Sequence, residues 1–157
     1  MQTYIIKWKG PYEDSELEEL NFSFGLYIIT GFQKAQRAKS IQYCGISEKD
    51  LGKRLLRHHK KDLVTREREY WFGQIISDKE LLRNDLEIVE SLIVFFWQPH
   101  LNDLKKKFPP EPIIVINRWY DKNEKLRMKK IHEGQKLDDV IFWDGKVWHT
   151  GHLRISI

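Results

Sequence analysis

Two short runs rich in β-branched and aromatic residues, Phe24 to Thr30 and Ser40 to Ile46, flank the polar segment Gly31 to Lys39. That segment has the length of a hairpin loop, so the two runs are expected to pair as neighbouring strands. Each run carries a glycine and a tyrosine two positions apart, Gly25 with Tyr27 and Tyr43 with Gly45. Residues two apart in a strand share a face, so the hairpin presents two phenols flanked by glycines. Glycine has no side chain and leaves room for a phosphate or a hydrated ion near the backbone. Taken alone, the fragment equally describes a buried aromatic pair with glycine at a bulge or bend.

Helix signals follow the hairpin. Ser47-Glu48-Lys49-Asp50 and Ser77-Asp78-Lys79-Glu80 fit the capping-box pattern, which predicts helices starting at both places. The first runs through Leu51, Leu55 and His58, and places Arg54 and His58 four residues apart on one face. The second, through Leu82, Leu86, Val89 and Ile93, is apolar over most of its circumference and is expected to be the central buried helix. Between them Tyr70 to Ile76 reads as a strand. Proline ends helical structure around Pro109-Pro110-Glu111-Pro112. Beyond it, Ile113 to Tyr120, Val140 to Trp143 and Lys146 to His149 read as strands with a turn at Asp144-Gly145, and Tyr4 to Trp8 is a candidate partner for one of them.

Several of these elements carry residues suited to phosphate chemistry. Arg54 offers a fixed charge and a fork of donors that match phosphate oxygens, and His58 moves a proton or donates a hydrogen bond near neutral pH. Without further context, Lys-Arg-Leu-Leu-Arg-His-His-Lys is an ordinary basic amphipathic helix. Glu90 projects from the apolar helix with Leu86 and Val94 one turn away. A carboxylate there needs a partner, and a divalent metal such as magnesium, content with one or two carboxylates and several waters, is one. A partly exposed acid beside Arg83 and Glu87 is the alternative. Asn102, after Pro99-His100-Leu101, is placed to hold a phosphate or a water, or is an ordinary turn residue.

Charge distribution adds a candidate surface. Residues 33–68 hold eleven Lys/Arg against four acids, whereas residues 11–32 hold five acids and no Lys/Arg. Lys34, Arg37, Lys39, Lys53, Arg57, Lys60 and Lys61 form the candidate DNA-binding set, with salt-sensitive binding as its consequence. A solvated lysine-rich surface is the plainer reading. The single Cys44 excludes a disulfide framework within the chain, and the run Leu92 to Trp97 is too short to cross a bilayer. With no signal-peptide pattern at the N-terminus, a cytoplasmic protein without a membrane partner is expected. At 157 residues and 41% hydrophobic side chains, one core and one domain over residues 1–157 are expected.

Taken in order, Gly25 to Asn102 resembles a complete GIY-YIG nuclease domain. Both name motifs lie on a hairpin, followed by an Arg-bearing helix, a Glu-bearing helix and a downstream Asn. The match covers about half of the chain. It departs from the family pattern at Leu26, usually Ile, and at Cys44, usually Ile or Val; Cys44 is expected to point away from Tyr43 and pack. The Arg54 and His58 pair, with Asn102 twelve residues after Glu90, is most similar to the restriction-endonuclease branch.

The resemblance implies an α+β fold: a small mixed or antiparallel central sheet flanked by helices over residues 22–104, with a β-rich extension over 111–157. It also implies hydrolysis of DNA phosphodiesters with one Mg2+ or Mn2+ ion. In that scheme Glu90 holds the metal and Tyr27 activates water, assisted by Tyr43 or His58. Arg54 stabilises transition-state charge, Asn102 holds the site or the phosphate, and Lys39 is a candidate support for the tyrosine. Sequence recognition is expected from a homodimer, from a specificity-giving protein partner, or not at all. Restriction, phage defence and mobile-element settings all fit. The alternatives are a catalytically silent DNA-binding subunit and a nuclease acting on RNA or branched repair intermediates.

Overall fold

The computed structural model describes residues 1–126 and 138–153. Strand β1 (Gln2–Tyr12) leads through a 3-10 turn (Asp14–Glu19) into the hairpin β2 (Gly25–Gln33) and β3 (Ser40–Ser47). Helix α1 (Leu51–Leu56) and a second 3-10 turn (Lys61–Leu63) precede β4 (Val64–Ile76), and helix α2 (Arg83–Trp97) follows it. Strands β5 (Ile113–Tyr120), β6 (Val140–Trp143) and β7 (Trp148–Gly151) complete the order. The seven strands form one mixed sheet, β3-β2-β4-β1-β5-β6-β7, that dominates a mixed α/β fold.

Strand β1 lies in the middle of the sheet, antiparallel to β4 and parallel to β5. The C-terminal strands therefore extend the sheet that holds the hairpin. Trp8 fixes this junction, donating its Nε1–H to the buried Asn117 Oδ1 at 2.7 Å and stacking on Trp119. Residues 127–137 and 154–157 of the expected C-terminal extension lie outside the described residues.

Alternation along the strands builds two cores on opposite faces. Leu26, Ile28, Cys44, Ile46 and Trp71 pack with Leu86, Val89, Leu92, Ile93 and Val94 of α2. Tyr27, Ile29, Tyr70 and Phe72 pack instead with Leu51 and Leu55 of α1 and Leu17 of the first turn. The helices thus cover different faces of the same strands. Cys44 is fully buried on the α2 side, away from Tyr43, as its place in the alternation requires.

Helix boundaries depart from expectation in two places. Asp50, not Ser47, caps α1 by accepting the Lys53 N–H at 3.1 Å, while Ser47 is the last residue of β3. The helix ends at Leu56, and His58 lies beyond it, because the His58 Nδ1 accepts the Lys60 N–H and so competes with continued helical bonding. Helix α2 starts at Arg83 rather than near Ser77. Ser77 Oγ accepts the Lys79 N–H in a local turn, and the Asp85 carboxylate accepts the Leu82 N–H at the true start.

Strand lengths differ as well. Strand β4 begins six residues before the expected Tyr70, since its charged first half pairs along β2 as far as Gln33 opposite Val64. Strand β7 begins at Trp148, and Asp144 Oδ1 closes the loop before it by accepting the Lys146 and Val147 amides.

Candidate active site at the edge strand

In this sheet β3 is an edge strand, and the candidate residues gather around it. Pairing sets Tyr27 opposite Gly45 and Ile29 opposite Tyr43, so both phenols project from one face in diagonal register. Their ring centroids are 6.0 Å apart. The His58 ring meets Tyr43 edge-on at 4.6 Å and Tyr27 at 5.9 Å. Although His58 has left the helix, the turn after α1 returns it to the face that the helical spacing had assigned.

Close packing explains both glycines. A Cβ on Gly45 would lie 2.5 Å from the Tyr27 hydroxyl oxygen and 2.6 Å from its Cζ. A Cβ on Gly25 would meet the Gly73 carbonyl oxygen at 2.4 Å. The expected vacancy for a phosphate or hydrated ion at these glycines is therefore corrected: Gly45 makes room for the Tyr27 ring, and Gly25 for a neighbouring strand.

Burial governs the protonation of the site. Tyr27 is fully buried and its hydroxyl meets no partner at hydrogen-bonding geometry, although Arg54 and Tyr43 lie close by. Desolvation raises its pKa strongly, and the nearby Arg54 charge offsets only part of this. Half-buried Tyr43 is raised too, first by desolvation and then by the Glu90 charge. Burial and the neighbouring His59, Arg54, Lys60 and Lys61 push His58 down to about 4. His58 is thus neutral at physiological pH. With Nδ1 accepting the Lys60 N–H at 3.2 Å, its proton sits on Nε2, which leaves that nitrogen as a donor.

Asn102 reaches the same strand from the loop after α2. Its Oδ1 accepts the Cys44 N–H at 2.9 Å, and its Nδ2 donates to the Cys44 carbonyl at 2.9 Å. The Leu101 N–H also donates to the Gln42 carbonyl at 2.8 Å. This loop covers the free edge of β3, satisfies backbone groups that would otherwise await another strand, and fixes the residue between Tyr43 and Gly45. Asn102 thus pins the edge strand at Cys44 with one donor and one acceptor of its amide.

Glu90 approaches from the opposite face. Helix α2 packs on the Cys44 side of β3, and the Glu90 charge acts on both Tyr43 and the Cys44 thiol, which burial and this charge push up. The Glu90 side chain is 13% exposed and pairs with Lys105. The site therefore straddles the sheet edge, with phenols and imidazole on the α1 face and a carboxylate on the α2 face.

The basic candidates divide into two groups. Lys39 is held by Glu69 and Glu67 on β4, with its side chain only 10% exposed. Lys60 donates to the Leu101 carbonyl at 2.6 Å and pairs with Asp103, bridging the two loops beside Tyr43. Lys34, Arg37, Arg54 and Arg57 are exposed, and with half-exposed Lys61 they have no ion-pair partner among the described residues. Lys53, four-fifths exposed, has only a loose contact with Asp50 at 3.8 Å.

Two groupings were not visible in the sequence. Lys105, in the loop after α2, is the partner of Glu90. Asp14 accepts from Arg68 and from the Tyr70 hydroxyl, tying the acidic N-terminal segment to β4. That segment borders a cavity of about 880 Å³ whose lining includes Glu13, Asp14, Asp62, Glu67 and Glu69, a setting unsuited to phosphate. Among the described residues, no helix is long and apolar enough to cross a membrane.

No protein-family model, curated protein or solved structure matches this chain.

Proposed function

We propose that the protein is a divalent-metal-dependent endonuclease of GIY-YIG type that hydrolyses DNA phosphodiester bonds. The observation that carries this reading is the gathering of Tyr27, Tyr43 and His58 on one face of a sheet edge clamped by Asn102, with the Arg54 and Glu90 charges acting on the phenols.

The donor set bears on which metal fits. Among the described residues no group of three or more His, Cys, Asp or Glu side chains is arranged to hold an ion. That donor set does not suit zinc, but one carboxylate is compatible with magnesium or manganese retaining most of their waters. Glu90 would hold the ion, in the seat that the Lys105 ammonium fills in this structure. When bound, the ion supplies Lewis-acid polarisation of the phosphate and stabilises the leaving oxygen.

The remaining steps belong to the side chains. Arg54, exposed on α1 yet close to both phenols, binds a phosphate oxygen and offsets the charge that develops on it. The His58 Nε2–H donates a second hydrogen bond to the phosphate. Half-buried Tyr43 orients the attacking water. Fully buried Tyr27, a poor base at neutral pH, supports Tyr43 and shapes the floor of the site. Lys34, Arg37, Lys53, Arg57 and Lys61 track the phosphate backbone.

A second reading, a DNA-binding subunit without activity, is favoured by the Lys105 ammonium on Glu90. Gel-shift binding and cleavage of a labelled duplex separate the two. Arg54→Ala is expected to retain most binding while cleavage falls by roughly 10²–10³-fold. Binding without cleavage by the wild-type protein under every metal condition would favour the silent subunit.

A further inference from the structure

The post-α2 loop presents Lys105 to Glu90 in a constrained way. Gln98, the last cap of α2, adopts a left-handed conformation and donates its side-chain amide to the Lys106 carbonyl at 3.1 Å. At the loop's centre, Asn102 is bonded to Cys44, and Asp103 is paired with Lys60. Lys105 itself has φ +64°, a backbone conformation uncommon for a side-chain-bearing residue. Anchors on both sides thus hold its ammonium against the Glu90 carboxylate, and the Lys105 side chain remains 33% exposed.

We infer that Lys105 is a tethered competitor for the cation seat on Glu90, so that a divalent metal enters only by displacing the ammonium. This rests on the metal-binding reading of Glu90 given above. A cation built into the chain has a high effective concentration at its partner, so it lowers the apparent affinity of a free cation for that carboxylate. Its partial exposure gives it room to leave. Once displaced, the ammonium lies beside the site and is free to meet an incoming phosphate oxygen, which couples metal loading to DNA binding through one side chain.

Titration of the wild-type protein with Mn2+, followed by electron paramagnetic resonance of the free ion, tests this directly. Lys105→Met is expected to bind Mn2+ about two- to fivefold more tightly than wild type, on the scale of a solvent-accessible ion pair. Lys105→Arg, which keeps the charge, and Lys106→Met, which lies outside the pair, are expected to match wild type. Glu90→Gln, alone or with Lys105→Met, is expected to abolish the site. Thermal melts in EDTA and in magnesium provide a readout of folding, with the larger magnesium-induced rise in Lys105→Met. Glu90-dependent binding that is unchanged or weaker in a folded Lys105→Met protein would overturn the competitor role while leaving the metal reading intact. Absence of binding in every variant would overturn both.

Discussion

Gly45 lies directly under the ring of Tyr27, where a Cβ would come within 2.5 Å of the phenolic oxygen. The second glycine of the hairpin is thus the complement of the first tyrosine, and the two residues face each other in the strand register. Gly45→Ala is expected to displace the Tyr27 ring and destabilise the protein by about 1–3 kcal/mol, the range for overpacking a filled interior. Chemical denaturation measures the loss. A variant as stable as wild type would mean that the ring does not occupy this position.

The Asn102 clamp predicts a local effect. Asn102→Ala removes both bonds to Cys44 and leaves a buried donor and acceptor unpaired, at a cost of roughly 2 kcal/mol. Asn102→Asp keeps an acceptor for the Cys44 N–H but sets a carboxylate against the Cys44 carbonyl, so it is expected to rescue little. Hydrogen exchange at the Cys44 amide should accelerate in both variants. Unchanged protection together with abolished cleavage would instead assign Asn102 to the phosphate.

His58 predicts a pH dependence whose sign is fixed by burial. Its pKa is about 4 in the folded protein against an ordinary value near 6.5, so between those values the unfolded chain binds the extra proton. The stabilisation is complete above about pH 6.5 and is lost as pH falls toward 4. An NMR titration of the His58 ring is expected to show a midpoint well below 6, with Nε2 protonated on the neutral side. A midpoint between 6 and 7 would contradict the buried, neutral assignment.

Electrostatic pairing divides the basic surface. Neutralising Arg37 or Arg57 is expected to weaken DNA binding and lower the salt slope by about 0.9 for each phosphate that is no longer neutralised. Neutralising Lys39 is expected to disturb its ion pairs with Glu69 and Glu67 with little effect on that slope. Binding isotherms over a range of salt concentrations distinguish these effects.

The sequence carried the local pattern well and the long-range partners poorly. Period-two alternation was enough to place Tyr27 and Tyr43 on one face and Cys44 on the other, because an edge hairpin has few other ways to bury its residues. Helical spacing brought Arg54 and His58 together, yet the helix stops at Leu56, since the imidazole of His58 captures a backbone amide. The Ser77 cap misled for a similar reason: a serine side chain closes a local turn as readily as it starts a helix. Strand β1 sits at the centre of the sheet through its pairing with β4 and β5, a relationship between distant segments that no local window contains. The partners of Glu90 and Lys39 were hidden for the same reason, as each depends on how loops and strands meet.

Incubation of supercoiled plasmid with wild-type protein and with Glu90→Ala, in magnesium, manganese and EDTA at low salt, tests the nuclease reading most directly. Nicked or linear product that requires the metal and is absent with the mutant is expected. Plasmid left intact by the wild-type protein in both metals, or cleavage that survives Glu90→Ala, would contradict it.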